Sequence, residues 1–177
     1  MCIRDRTPPA RSLIDKGRQT AVQFAWLLLL LPALSPLFRA DFFVSDDGRS
    51  HLYRMGALAE SWRAGVLHPR LFPDFGFGYG QAVLNFYSPL GYWPGAALSL
   101  LGLSPAVAFQ WTIALGFGVA ALAAYAYVRS LWGRTAGILA ALAYTYLPYH
   151  LADAYIRGAL PEHMAFIFPP LILWAYT

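Results

Sequence analysis

Apolar and charged positions follow one another in long blocks along this chain. Residues 21–38 carry no charge and include five consecutive leucines at 27–31. A helix needs about 20 residues to cross the hydrocarbon core of a bilayer. With interfacial flanks, this block predicts a first span. A cleaved leader would have a shorter apolar core ending at a small-residue site. Pro32, Pro36 and Arg39 fit that poorly and favour an uncleaved span. Residues 39–74 are the most charged segment, and 48–66 within it repeats with a helical period. Leu52, Met55, Leu58, Ala59 and Trp62 fall on one face, with Arg49, Glu60 and Arg63 on the other. Asp46 or Asp47 stands where an N-cap belongs. Such an amphipathic helix is expected beside the membrane, not across it.

Residues 75–128 carry no charge at all. Within them 105–128 predicts a span. Residues 88–102, interrupted by Gly91, Pro94 and Gly95, predict a shorter interfacial or re-entrant helix. Residues 135–152 predict a further span, ending in a cluster of tyrosines 144, 146, 149 and 155 that suits a membrane-interface belt. A last span opens at 164–177. Short cytoplasmic loops are rich in Lys and Arg, which places the basic arm 1–20 inside and the 39–104 loop outside. If 75–128 crosses once, Arg129 and Arg134 lie inside and Asp153 returns to the outer face. If it crosses twice, Asp153 moves to the cytoplasm. One crossing is preferred, because it puts all the acids after residue 38 outside.

Composition narrows the class. The 177 residues are 58% hydrophobic and 12% charged, and mean hydropathy is +0.46. A soluble domain carries roughly a quarter charged residues, so a water-soluble globule is excluded. Aromatics at 16% exclude disorder. The net charge of +4 comes from bases that flank apolar segments without forming a stripe, which argues against nucleic acid. The lone Cys2 excludes an internal disulfide and a cysteine metal site. M-C-I-R-D-R at 1–6 reads as a sequencing artefact, and the chain is expected to be the N-terminal piece of a longer protein.

Four groups are candidates for chemistry. S-D-D-G-R-S-H at 45–51 sets Asp46 and Asp47 just beyond the first span, where carboxylates act as general base or hold a divalent cation such as Mg or Mn. The competing reading is a helix cap and a solvated acid. Asp153, Arg157 and Glu162 follow the third span, with Asp153 and Arg157 spaced to share a helical face. Charges near membrane depth are costly and usually functional; the competing reading is an ordinary surface pair. His51, His68, His150 and His163 lack metal-site spacing and read as interfacial histidines. G-F-G-Y-G at 76–80 is neither a dinucleotide fingerprint nor a phosphate loop, and predicts a flexible loop.

The order of elements resembles the N-terminal third of the GT-C membrane glycosyltransferases. More closely, D-D-G-x-S-H-L-Y-R, F-G-Y-G, F-Y-S-P-L and Y-I-R-G-A-L-P-E-H resemble the bacterial multi-pass proteins labelled "6-pyruvoyl-tetrahydropterin synthase-related". The label does not imply pterin chemistry. The resemblance implies an all-α, polytopic transmembrane fold in the bacterial plasma membrane, with sugar transfer from a polyprenyl-phosphate carrier at the outer face. It implies Asp46 or Asp47 as base or acceptor-orienting group and Asp153 or Glu162 as the second acid. It implies Arg157 as the clamp on the carrier phosphate, with His51 and Tyr155 as further substrate- or phosphate-binding residues. The expected partners are the lipid bilayer and the sugar carrier. The alternatives are a transporter or a membrane assembly protein without covalent chemistry. A transporter is expected to show internal repeats, and none is visible.

Overall fold

The computed structural model describes residues 25–38 and 43–177. The basic arm 1–20, the first residues of the predicted first span, and 39–42 lie outside the described residues. Among the described residues every regular element is helical, and the single strand-like contact is an isolated antiparallel bridge between Phe72 and Gln81.

The first helical stretch, α1 (Ala25–Phe38), is not a uniform α-helix. It runs as a 3-10 helix over Ala25–Leu30, an α turn over Leu31–Leu34 and a 3-10 turn over Ser35–Phe38. Two prolines explain this, since each removes an N–H from the helical ladder. Pro36 cannot donate to the Pro32 carbonyl; the N–H and hydroxyl of Ser35 do so instead. Trp26, Leu30, Ala33 and Leu37 recur three or four residues apart and are all buried.

Helix α2 (Gly48–Arg63) follows the amphipathic pattern closely. Met55, Leu58 and Ala59 are fully buried, and Leu52 and Trp62 pack around them. The apolar stripe therefore rests on protein. Its partner is α3 (Trp93–Leu100), and the closest approach is at Gly95. A Cβ there would lie 2.0 Å from the Met55 sulfur and 2.8 Å from the Thr112 hydroxyl, so only glycine lets the two helices and the following one meet. The Arg63 guanidinium ties the far end of α2 to the Ser99 carbonyl at 2.9 Å.

Helix α4 (Pro105–Thr145) starts with Pro105 in its first turn and Ser104 as N-cap, whose hydroxyl accepts from the Val107 N–H. It is long and apolar enough to cross a membrane, the only such helix among the described residues. It is not one rod. Gly133 has φ +83° and ψ −178°, outside the helical region. Beyond it Gly137 sits so close to Tyr125 that a Cβ would be 2.9 Å from the Tyr125 carbonyl. Twelve residues of straight helix would separate them by about 18 Å. The chain therefore reverses at Gly133, and the arm after it lies against the arm before it, with Ala141 packed by Ala121 and Tyr125. The turn falls where the Arg129 and Arg134 pair had marked a loop between two spans.

The remaining elements are short: α5 (Pro148–Ala152), a π-helical turn over Asp153–Arg157, α6 (Leu160–Ala165) and α7 (Phe168–Ala175). The expected continuous spans at 135–152 and 164–177 are thus each interrupted. Pro148 opens a new helix after the first break and Pro169 after the second, and between them Gly158 in the left-handed region closes the π turn. On the first arm of α4, Phe109, Ile113, Phe117, Ala120 and Ala124 face the core, whereas Val107, Trp111, Leu115 and Leu122 form an exposed stripe. Large apolar side chains lined along one open face suit lipid contact and not water.

Candidate functional site

Asp153 and Arg157 pair as their spacing suggests, although in a π turn and not an α-helix. Arg157 Nη1 donates to Asp153 Oδ1 and to Glu162 Oε2, each at 2.8 Å, and to the Tyr149 hydroxyl at 3.0 Å. Tyr149 in turn donates to Glu162 Oε1. Asp153 is wholly buried, while the side chains of Arg157 and Glu162 are about two-fifths exposed, at 42% and 41%. The network is therefore anchored inside and open on one side. Burial pushes the Asp153 carboxyl up to about 6, the Glu162 charge adds to this, and Arg157 opposes it. The Tyr149 hydroxyl, and Arg157 after it, hold Glu162 below the usual carboxylate range against the opposing effect of burial. Asp153 Oδ2 is buried without a hydrogen-bond partner.

The two acidic segments, more than 100 residues apart in sequence, meet. The Asp46 N–H donates to the Ile156 carbonyl at 2.9 Å and the Asp47 N–H to the Arg157 carbonyl at 2.7 Å. Gly158, at φ +67°, makes this possible. A Cβ there would lie 2.4 Å from the Ser45 hydroxyl and 2.8 Å from the Gly48 nitrogen. Asp47 occupies the N-cap position of α2, yet its side chain makes no capping bond, and both carboxylates at 46 and 47 are exposed. The expected cap is present in position and absent in chemistry.

One and two turns along α2 lies a second cluster. His51 is buried, and its Nδ1 is 2.8 Å from the Tyr92 hydroxyl and 3.4 Å from Arg54 Nη1. A guanidinium can only donate, so Nδ1 is the acceptor and the imidazole is neutral. Burial, then the neighbouring Arg54 charge, lower its pKa to about 4, with Asp47 opposing. Burial likewise pushes Tyr92 up to about 12. The Arg54 guanidinium stacks over the Tyr87 ring, 4.2 Å from its centroid. Sequence reading singled out His51 here; Arg54 closes the D-D-G-x-S-H-L-Y-R motif but was given no role, since nothing in its spacing sets it apart from the other arginines of the loop.

The histidines correct the interfacial expectation. His51, His150 and His163 are all buried; His68 alone is exposed. His150 and His163 pack against each other and against Phe117, and His163 Nε2 donates to the Ile113 carbonyl at 2.9 Å. Gly116 provides the room, since a Cβ would be 2.5 Å from that nitrogen. Tyr155 is also placed differently from its expected phosphate role: its hydroxyl donates to the Ala33 carbonyl and ties the π turn to α1. The 76–80 segment is a loop as expected, with Phe77 and Tyr79 fully exposed. For a divalent cation the fit is incomplete. No group of three or more His, Cys, Asp or Glu that could hold one occurs among the described residues.

A membrane-length apolar helix with an exposed apolar face folds against shorter helices that carry a half-open acid and arginine network, an arrangement that suits a membrane. Residues 84–177 match the membrane-protein family described as the 6-pyruvoyl-tetrahydropterin synthase related domain, and the chain belongs to that family. No curated protein and no solved structure matches it.

Proposed function

We propose that this chain is part of a polytopic bacterial plasma-membrane glycosyltransferase of GT-C type, which moves a sugar from a polyprenyl-phosphate carrier to an acceptor hydroxyl at the outer face. The observation that supports this most is the docking of 45–48 on 156–158, which brings the backbone of Asp46 and Asp47 against the turn that carries Asp153 and Arg157. The reversal at Gly133 supports two crossings by α4, with this cluster and the α2 loop on the same side.

In this reading Asp47, exposed and without a capping bond, takes the proton of the acceptor hydroxyl. The hydroxyl oxygen bonds to the anomeric carbon as the carbon–oxygen bond to the carrier phosphate breaks, and the carrier leaves with that electron pair. Arg157 faces two carboxylates and holds Asp153 and Glu162 in place. Asp153, buried behind it, sets the position of Arg157.

The test is transfer by the full-length protein from a polyprenyl-phosphate sugar in bilayers. Asp47→Asn is expected to lower the rate about 30- to 150-fold, the equivalent of roughly 2–3 kcal/mol in the transition state, with insertion unchanged. Full activity in Asp47→Asn would remove the proposed base.

A further inference from the structure

We infer that Arg54 is the centre of a binding site for a phosphate group, a role nothing in the acidic cluster supplies. The inference goes beyond sugar transfer and stands whether or not the chain transfers a sugar.

The argument begins with charge. Arg157 spends its charge on two carboxylates. Among the described residues Arg54 has no carboxylate partner; its contacts there are the neutral Nδ1 of His51, the Tyr87 ring and the flanking tyrosine hydroxyls. A half-buried guanidinium with only neutral neighbours keeps its full attraction for an anion.

Orientation is next. The guanidinium carbon lies 4.2 Å over the Tyr87 ring, and the Tyr87 and Tyr92 hydroxyls engage it as well, so its position is restrained by neutral groups alone. A planar fork of N–H groups held this way matches two oxygens of a phosphate. The tyrosine and histidine thus order the cation without neutralising it.

Space is available on the same side. A cavity of about 300 Å³ is lined by Ser50, Tyr53, Arg54, Phe75 and Gln81. Ser50, Tyr53 and Gln81 each bring a side-chain donor to an oxyanion. The base of the aromatic loop closes one end: the Phe72–Gln81 bridge holds Gln81 and Phe75 in position. Arg54 is two turns from Asp47 on α2, about 10 Å along the axis, so the two sites are neighbours and not one site.

The same chemistry serves a free phosphate or a phospholipid headgroup, and the experiment separates them. Full-length protein in detergent is titrated by phosphorus NMR with inorganic phosphate, and separately with dihexanoyl phosphatidic acid. Binding of either probe, weakened about tenfold or more by Arg54→Gln, is expected; Arg54→Lys should recover part of it, since it restores charge without the fork. Response to the lipid alone would identify a headgroup as the source, and response to phosphate alone a soluble one. Arg49→Gln, an exposed arginine on the same helix, should leave binding unchanged. Thermal melting of each variant checks that it folds, and Tyr87→Leu provides a second route by removing the stack without removing charge. The inference is overturned if neither probe binds, if folded Arg54→Gln and Tyr87→Leu bind as wild type does, or if Arg49→Gln is as damaging as Arg54→Gln. Sugar transfer is not read in any arm, so its failure would leave this result untouched.

Discussion

Two arginines, Arg157 and Arg54, have been given opposite surroundings. Arg157 meets Asp153, Glu162 and a tyrosine hydroxyl, and the resulting network carries no surplus positive charge. Arg54 meets a neutral imidazole and an aromatic face and keeps its charge. The first arrangement positions carboxylates; the second attracts an anion. Electrostatic function therefore follows from what surrounds a charge, and not from the charge alone.

The clusters also titrate in opposite senses. Asp153 is raised to about 6 from an ordinary value near 3.8. Its burial therefore favours folding in acid, and that contribution is lost as pH rises through about 6. His51 is lowered to about 4 from 6.5. Its contribution is present above 6.5 and is lost as pH falls through about 4.

The comparison can be broken most severely at Gly158, which joins the two regions. Gly158→Val places a β-branched residue at φ +67° and drives its side chain into Ser45 and Gly48. Strain and overpacking together should cost about 2–5 kcal/mol. Thermal melting in detergent should show the loss, and the 45–48 segment should become accessible to a thiol probe placed at Ser45, whose hydroxyl is buried against Gly158. An unchanged melting temperature would mean that the two segments are not docked.

A pair of variants sharpens the contrast with a smaller effect. Asp153→Asn should remove the stability loss between about pH 4 and 6, and His51→Gln should remove the acid loss between about 6.5 and 4. Each change should be on the order of 1–3 kcal/mol. Melting curves across pH 4–7 should therefore depart from wild type in opposite directions. Departures of the same sign would show that the two environments are not opposed.

The smallest effect is expected at Asp74, an exposed acid that lines a groove with Leu52 and Pro105 and makes no contact with the Asp153, Arg157 and Glu162 network. Asp74→Asn should change stability by no more than about 0.5 kcal/mol and leave transfer intact. A loss comparable to that of Asp47→Asn would make both effects a matter of general surface charge.

Some of this was legible before any coordinates. The stripe Leu52, Met55, Leu58, Ala59 and Trp62 needs only a helical period to be recognised, and it is the buried face of α2. The Asp153 and Arg157 pair was visible in the spacing and forms as expected. The buried histidines were not legible. A polar ring in an apolar run suits an interface as well as a core, and the choice depends on Gly116 and Phe117 leaving a slot of the right shape. The surroundings of Arg54 were equally hidden although the residue stands in a quoted motif, because its contact with Tyr87 joins residues 33 positions apart.

The sequence alone determined what local physics decides: the membrane class from scarce charge, the amphipathic α2 from its period, the reversal near Arg129 and Arg134 from a polar interruption of two apolar arms, and the tight turns of α1 from prolines that lack an N–H. Only the tertiary structure decided which charges meet. Backbone bonds from Asp46 and Asp47 to Ile156 and Arg157 bring the acidic segments together, and glycines at 95, 116 and 158 set how closely the helices approach. The reason is range. Period and propensity act over a few residues, whereas the state of Asp153, His51, Arg54 and Arg157 depends on desolvation and on partners that reach them only once the chain has folded.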